Sequence, residues 1–253
     1  MTTCPFTDEF GAPVPAVDAA EMLEVDRIAT EETGPNLYQM MENAGRNLAL
    51  AALEMLGGRH RESGVTILAG TGGNGGGGIT AGRHLMNHDT GDVVLHVTNA
   101  ERLSEVAAQQ LHIFRNADGV VVPDHMAPAD VLGEGDLIID AIIGYSLRGA
   151  PRGRALQMIE WANSVNVPVL SLDVPSGIDS TTGAAPGAAT VATRTMTLAA
   201  PKHGLCAPQA GDLELADIGI PREVYRRVGR PELGISFNGR YRVPLRRNLG
   251  TDD

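Results

Sequence analysis

Apolar positions recur along this chain with two different periods. From Ala19 to about Leu56 they return every three or four residues, as Met22, Val25 and Ile28 and then Leu37, Met40, Met41, Ala44, Leu48, Ala51 and Leu53. That spacing predicts two amphipathic helices, separated where Thr33-Gly34-Pro35-Asn36 interrupts the pattern. Beyond Leu56 the pattern becomes short apolar runs bounded by turn residues, at 65–69, 93–97, 120–122, 137–139, 167–172 and 196–199. Each is read as a buried strand. Helical stretches at 79–87, 102–115 and 154–164 lie between several of them, so strands and helices alternate. Right-handed crossovers then give a mostly parallel, doubly wound sheet, with the N-terminal helical pair packed against it. The expected fold class is α/β, as a three-layer α/β/α domain.

With 253 residues, 43% of them hydrophobic, the chain can bury one sizeable core, and a single domain over residues 1–228 is expected. The segment 229–253 carries Arg230, Arg240, Arg242, Arg246 and Arg247 among few apolar residues, and reads as a peripheral or partly disordered segment, a solvated tail rather than a binding arm. A net charge of -11 argues against a nucleic-acid surface, so any anionic ligand must be held locally. Cys4 and Cys206 have no ligand spacing and make no disulfide framework, which fits a reducing compartment. No leader-like apolar stretch opens the sequence and no run of about 18 apolar residues follows, so a cytoplasmic protein is expected.

Candidate chemistry gathers at the ends of the predicted strands. Lys202 is the only lysine, among 19 arginines. An ammonium, unlike a guanidinium, can give up a proton or act as a compact charge on phosphate. The glycine run Gly70-Thr71-Gly72-Gly73-Asn74-Gly75-Gly76-Gly77-Gly78 stands between a strand and a helix, where bare backbone N–H groups can approach a phosphate. It contains G-x-G-x-x-G but no Gly-Lys-Ser/Thr, which excludes a P-loop. Asn74 could ligate a hard cation, hold a ribose hydroxyl or simply form a turn. Asp140, Asp173 and Lys202 follow three further apolar runs. In an open parallel sheet the carboxyl ends of the strands share one rim, so four separate strand exits point these residues at one pocket.

Five blocks in this order carry a family resemblance: Met41-Glu42-Asn43-Ala44-Gly45, the loop from Gly70 to Gly78, Asp140-Ala141-Ile142-Ile143-Gly144, Asp173-Val174-Pro175-Ser176-Gly177-Ile178-Asp179, and Pro201-Lys202-His203-Gly204-Leu205. Together they resemble the NAD(P)H-hydrate epimerases, the YjeF N-terminal domain family, over residues 16–222. The resemblance implies a Rossmann-like fold and interconversion of the R and S forms of hydrated NADH and NADPH, so that a separate dehydratase can repair both. It implies a stand-alone domain that forms a homodimer, with the hydrated dinucleotide as substrate. It places a potassium ion on Asn74, Asp140 and Ser176, and acid/base chemistry on Asp173 and Lys202. Substrate contacts would come from Gly73, Asn74, Gly75, Gly76 and Gly77, from Gly144, Tyr145, Ser146, Leu147, Arg148, Gly149 and Ala150, and from Asp173. Gly73 and Gly77 stand where the family pattern Asn-Asn-Gly-Gly-Asp-Gly has its first Asn and its Asp. Two other classes remain open from the residues: a nicotinamide-dependent dehydrogenase, which would want an acid ending the second strand, and a catalytically silent nucleotide-binding or protein-interaction scaffold.

Overall fold

The computed structural model describes residues 6–123, 126 and 136–248. Among them ten strands form one sheet: β1 (Phe6–Asp8), β2 (Pro13–Val14), β3 (Val65–Ala69), β4 (Val93–Val97), β5 (Val120–Val122), β6 (Leu137–Ala141), β7 (Val169–Leu172), β8 (Arg194–Leu198), β9 (Asp212–Ala216) and β10 (Arg242–Arg247). The order across the sheet is β2-β1-β10-β9-β8-β7-β6-β3-β4-β5. From β9 to β5 all neighbours are parallel, as expected. The winding reverses between β3 and β6, which are adjacent although two strands separate them in sequence, and their carboxyl ends therefore open a crevice.

The helices are α1 (Ala19–Ile28), α2 (Leu37–Leu56), α3 (Gly73–Asn87), α4 (Glu105–Asn116), α5 (Gly153–Ser164) and α6 (Arg222–Arg227). The two expected N-terminal helices are α1 and α2, and each starts at a reciprocal cap, Asp18 with Glu21 and Asn36 with Gln39. Gly34, at a φ of +106°, turns the chain between them. Alternate strand residues face opposite layers. Ile67, Ile139 and Leu170 pack with Leu48 of α2, Leu85 of α3 and Phe114 of α4, while Leu68, Ile138 and Val169 pack with Met158 and Ile159 of α5 on the other face. A smaller core joins Met22, Val25 and Ile28 of α1 to Val224 and Tyr225 of α6.

Several expectations change. The glycine run is not a loop up to residue 79: α3 begins at Gly73. Asp140 lies within β6, not beyond its end. The segment from Gly229, expected as a solvated tail, contains β10, which pairs antiparallel with both β9 and β1. Its Val243 and Leu245 are buried against Phe6, Leu213 and Leu215. Cys206 does not stand as a free thiol, which departs from the expected reduced cysteines, and Cys4 lies outside the described residues. No described helix is long and apolar enough to cross a membrane.

Candidate active site

The reversal between β3 and β6 opens into a cleft of about 660 Å³. Six segments contribute to its lining: Asn74 at the start of α3, Gly144 and Tyr145 after β6, Leu172 and Asp173 at the end of β7, Lys202 after β8, Met22 and Asp26 from α1, and Met40 and Met41 from α2. Thus Asn74, Asp173 and Lys202, which the sequence places on separate strand exits, do meet. A side-chain carbon on Gly144 would lie 3.2 Å from both Asn74 Oδ1 and Asp173 Oδ2, so Gly144 is wedged between the two.

Lys202 and Asp173 form a buried ion pair on the cleft floor, 1% and 3% exposed. The ammonium also donates to the carbonyl of Leu198 at 2.8 Å and to Thr197 Oγ1 at 3.4 Å, so each of its three hydrogens has an acceptor. Asp173 Oδ1 accepts in addition from the Leu198 N–H at 3.3 Å, while Oδ2 accepts from the Tyr145 N–H at 3.1 Å. Both flanks of the pair hold left-handed backbone, with φ +69° at Asp173 and +64° at Ala199. Such positions cost about 1–3 kcal/mol each and persist where the surroundings fix them. The segment of Lys202 is fixed by a bridge to Val17, just before α1.

Asp140 is fully buried one layer behind the cleft. Its carboxylate accepts from Ser176 Oγ at 2.5 Å, Ser176 N–H at 2.9 Å, Ser171 Oγ at 2.8 Å and Ile142 N–H at 3.4 Å. Burial pushes its pKa up and these hydrogen bonds pull it back. All the donors are neutral, and no ion pair among the described residues reaches this carboxylate. Ser176 Oγ also accepts from the Ile143 N–H at 2.8 Å, tying the β6 exit to the β7 exit. The Asn74 side-chain amide nitrogen is buried and has no hydrogen-bond partner among the described residues. A buried carboxylate without a counter-cation, beside the hydroxyl oxygens of Ser171 and Ser176, is a donor set of the kind that suits a hard monovalent cation. No group of three His, Cys, Asp or Glu residues capable of holding a metal occurs among the described residues.

The glycines of the run have separate roles. Gly73 and Gly77 line the cleft, whereas Gly75 and Gly76 are packed behind it. A side-chain carbon on Gly75 would fall 1.9 Å from the Gly70 carbonyl oxygen, and one on Gly77 would fall 2.7 Å from Leu172 Cδ2. Asn43 of the Met41–Gly45 block, and Asn47 one turn further along α2, donate to the carbonyls of Ile218 and Asp217 at 3.2 and 2.9 Å, and so dock α2 on the β9 exit.

Of the remaining expected contacts, Ser146 lines the cleft, but Leu147, Arg148, Gly149 and Ala150 do not. Arg154 donates to the carbonyls of Val97 and Met126 at 3.0 and 2.7 Å. The β4 exit carries Asn99, whose Oδ1 caps Glu101 N–H at 3.0 Å, instead of the acid a dehydrogenase would present. Sequence reasoning missed Asp26, whose carboxylate accepts the Tyr145 hydroxyl at 2.7 Å. On an amphipathic helix an acid beside the apolar stripe reads as solvent-facing, so no signal marked it.

A family model described as "YjeF-related protein N-terminus" matches residues 37–204. A protein of Dehalogenimonas lykanthroporepellens called NAD(P)H-hydrate epimerase is 48% identical over 240 residues, which cover 95% of this chain and 96% of that protein. A Moorella thermoacetica protein called bifunctional NAD(P)H-hydrate repair enzyme Nnr is 34% identical over 82% of this chain, which spans only 41% of its length. The crystal structure of the yeast protein YNL200c superposes with a TM-score of 0.78 at 23% identity, over 91% of this chain and 99% of that one, and shows the same fold.

Proposed function

This chain belongs to the YjeF-related N-terminal family, and from that premise we propose that it interconverts the R and S epimers of hydrated NADH and NADPH. The observation that carries this reading is the buried Lys202–Asp173 pair on the floor of a cleft large enough for a nicotinamide ring and its ribose.

Epimerisation requires C6 to lose and regain its configuration, through departure and return of its hydroxyl as water or through opening and reclosing of the ring. On either route a proton must be given to the group that leaves C6 and taken from the group that adds to it. Asp173 is the group we assign to this transfer. Its Oδ2 has one protein donor, the Tyr145 N–H, and so keeps acceptor capacity toward the cleft. Lys202 has all three hydrogens engaged, which fixes the carboxylate's orientation and balances its charge through the reaction. The apolar wall of Met22, Met40 and Met41 would exclude bulk water from the ring.

Potassium is assigned to Asn74, Asp140 and Ser176, where it would supply the counter-charge that the buried carboxylate lacks. The exposed Leu23 and Leu37 of the early helices, at 63% and 51%, support a homodimer face there. A cytoplasmic location and a separate hydrate dehydratase as functional partner complete the reading.

The test is incubation with the slowly converting R epimer, following both epimers by chromatography in potassium and in sodium. We expect conversion well above buffer, faster in potassium, and lost in Asp173→Asn. A wild-type protein that leaves the epimer ratio moving at the buffer rate overturns the proposal.

A further inference from the structure

One contact on the cleft wall is not used by the Lys202–Asp173 pair. Asp26 of α1 lines the cleft and takes the Tyr145 hydroxyl hydrogen at 2.7 Å. Tyr145 is held at two more points: its N–H donates to Asp173 Oδ2 at 3.1 Å, and its carbonyl accepts from Ser180 Oγ at 2.8 Å. Its ring centroid lies 5.9 Å from Lys202 Nζ. One residue therefore spans from the carboxylate of α1 to both members of the buried pair. Docking of α1 does not need this bond, because Met22, Val25 and Ile28 already bury the helix against α6. A phenol and a carboxylate on the wall of an open cleft could each be satisfied by water. Pairing them instead fixes where the turn after β6 sits.

We propose that Asp26 is a positioning residue for the reaction: through the Tyr145 hydroxyl it fixes the turn whose N–H holds Asp173 Oδ2 toward the hydrated ring. The inference rests on the epimerase reading above. The charged and titratable groups facing Asp26 are Tyr145, Lys202 and Asp173, with Tyr225 of α6 also within electrostatic reach. Burial raises the Asp26 carboxyl above its usual range, the Tyr145 hydrogen bond and the Lys202 charge lower it, and the Asp173 charge raises it. Removing the Asp26 charge is therefore felt by the pair on the floor.

Asp26→Asn, Tyr145→Phe and the double variant are compared by kcat, KM and pH–rate profile, alongside the ring-carbon NMR signal of Tyr145 in tyrosine-labelled protein, assigned by its loss in Tyr145→Phe. Misplacement of a reacting group by a fraction of an ångström to about 1 Å costs up to about a hundredfold in rate. Each single variant is expected to lose about ten- to a hundredfold in kcat with KM within about threefold. The double variant should fall no further than the worse single, since both act through one bond. Asp26→Asn should also shift the pH–rate profile, which a purely structural role would leave in place. Wild-type kcat and profile in Asp26→Asn, or losses that multiply in the double variant, overturn the inference. So does an unchanged Tyr145 ring-carbon signal in Asp26→Asn, a readout that stands even if the wild-type protein converts no hydrate and the epimerase reading itself fails.

Discussion

At the scale of single residues, the site depends on burying one ammonium against one carboxylate. Two charges taken out of water repay that cost only when each finds the other and the remaining donors and acceptors are filled. Lys202 meets this condition through Asp173, Leu198 and Thr197. Lys202→Met leaves Asp173 buried with its main partner gone, and is expected to cost about 3–5 kcal/mol in urea unfolding at neutral pH. Adding Asp173→Asn removes the stranded charge, so the double variant should recover most of that loss while remaining inactive. A single Lys202→Met variant as stable as wild type would show that the pair contributes no net stability. Arginine is no substitute at this position, because its planar fork cannot place three hydrogens on acceptors arranged around one nitrogen. That constraint accounts for a lone lysine in a chain that otherwise writes arginine.

At the scale of elements, legibility in the sequence followed burial on both faces. β3, β4 and β6 are buried on both faces of the sheet and mostly apolar, so their runs are read directly. β9 was missed because Glu214 interrupts Leu213 and Leu215, and that acid reads as exposed. It is only 9% exposed, with Arg242 of β10 at 2.9 Å. The start of α3 was missed because glycine is a poor helix former. Tertiary packing overrides that preference: the helix approaches the Gly70 carbonyl and Leu172 too closely for a side chain at Gly75 or Gly77. The strand exits gave away Asn74, Asp173 and Lys202, whereas Asp26 and the Tyr145 hydroxyl depended on a helix approaching from a distant part of the chain. His96 of β4 is a further element-level consequence. It is fully buried, both ring nitrogens lack partners among the described residues, and burial with the nearby Arg154 charge lowers its pKa to about 4. The folded state refuses a proton that the unfolded chain accepts below about pH 6.5, so stability falls as pH drops from there to about 4 and levels off beneath it. The whole effect is on the order of 3 kcal/mol. His96→Leu should flatten this part of the acid limb in thermal melts; a limb as steep as wild type would assign it to other groups.

At the scale of the whole molecule, the parallel sheet that builds the cleft ends at β9, whose outer edge would be open without β10. β10 covers that edge in antiparallel register, from Arg242 opposite Ala216 to Leu245 opposite Leu213, and is itself covered by β1. Arg242 clamps the join to Glu214 and to Glu54 of α2, so the C-terminal strand is tied to the same helix that walls the cleft. An uncovered edge would offer unpaired backbone to another chain and promote aggregation. The arginine-rich segment that reads as a solvated tail is therefore a structural wall, and its apolar side chains should carry core energies. Leu245 is 6% exposed and belongs to the same cluster as Phe6, Leu213 and Val243. Leu245→Ala is expected to cost about 2–5 kcal/mol in chemical unfolding. A solvated side chain would lose no more than about 0.5 kcal/mol on the same substitution, so the two descriptions are separated by a single denaturation curve. Because no residue of β10 lines the cleft, the folded fraction of Leu245→Ala should keep its turnover per active molecule. A variant as stable as wild type would place the segment outside the cooperative core, and a folded but inactive one would mean that the edge shapes the cleft directly.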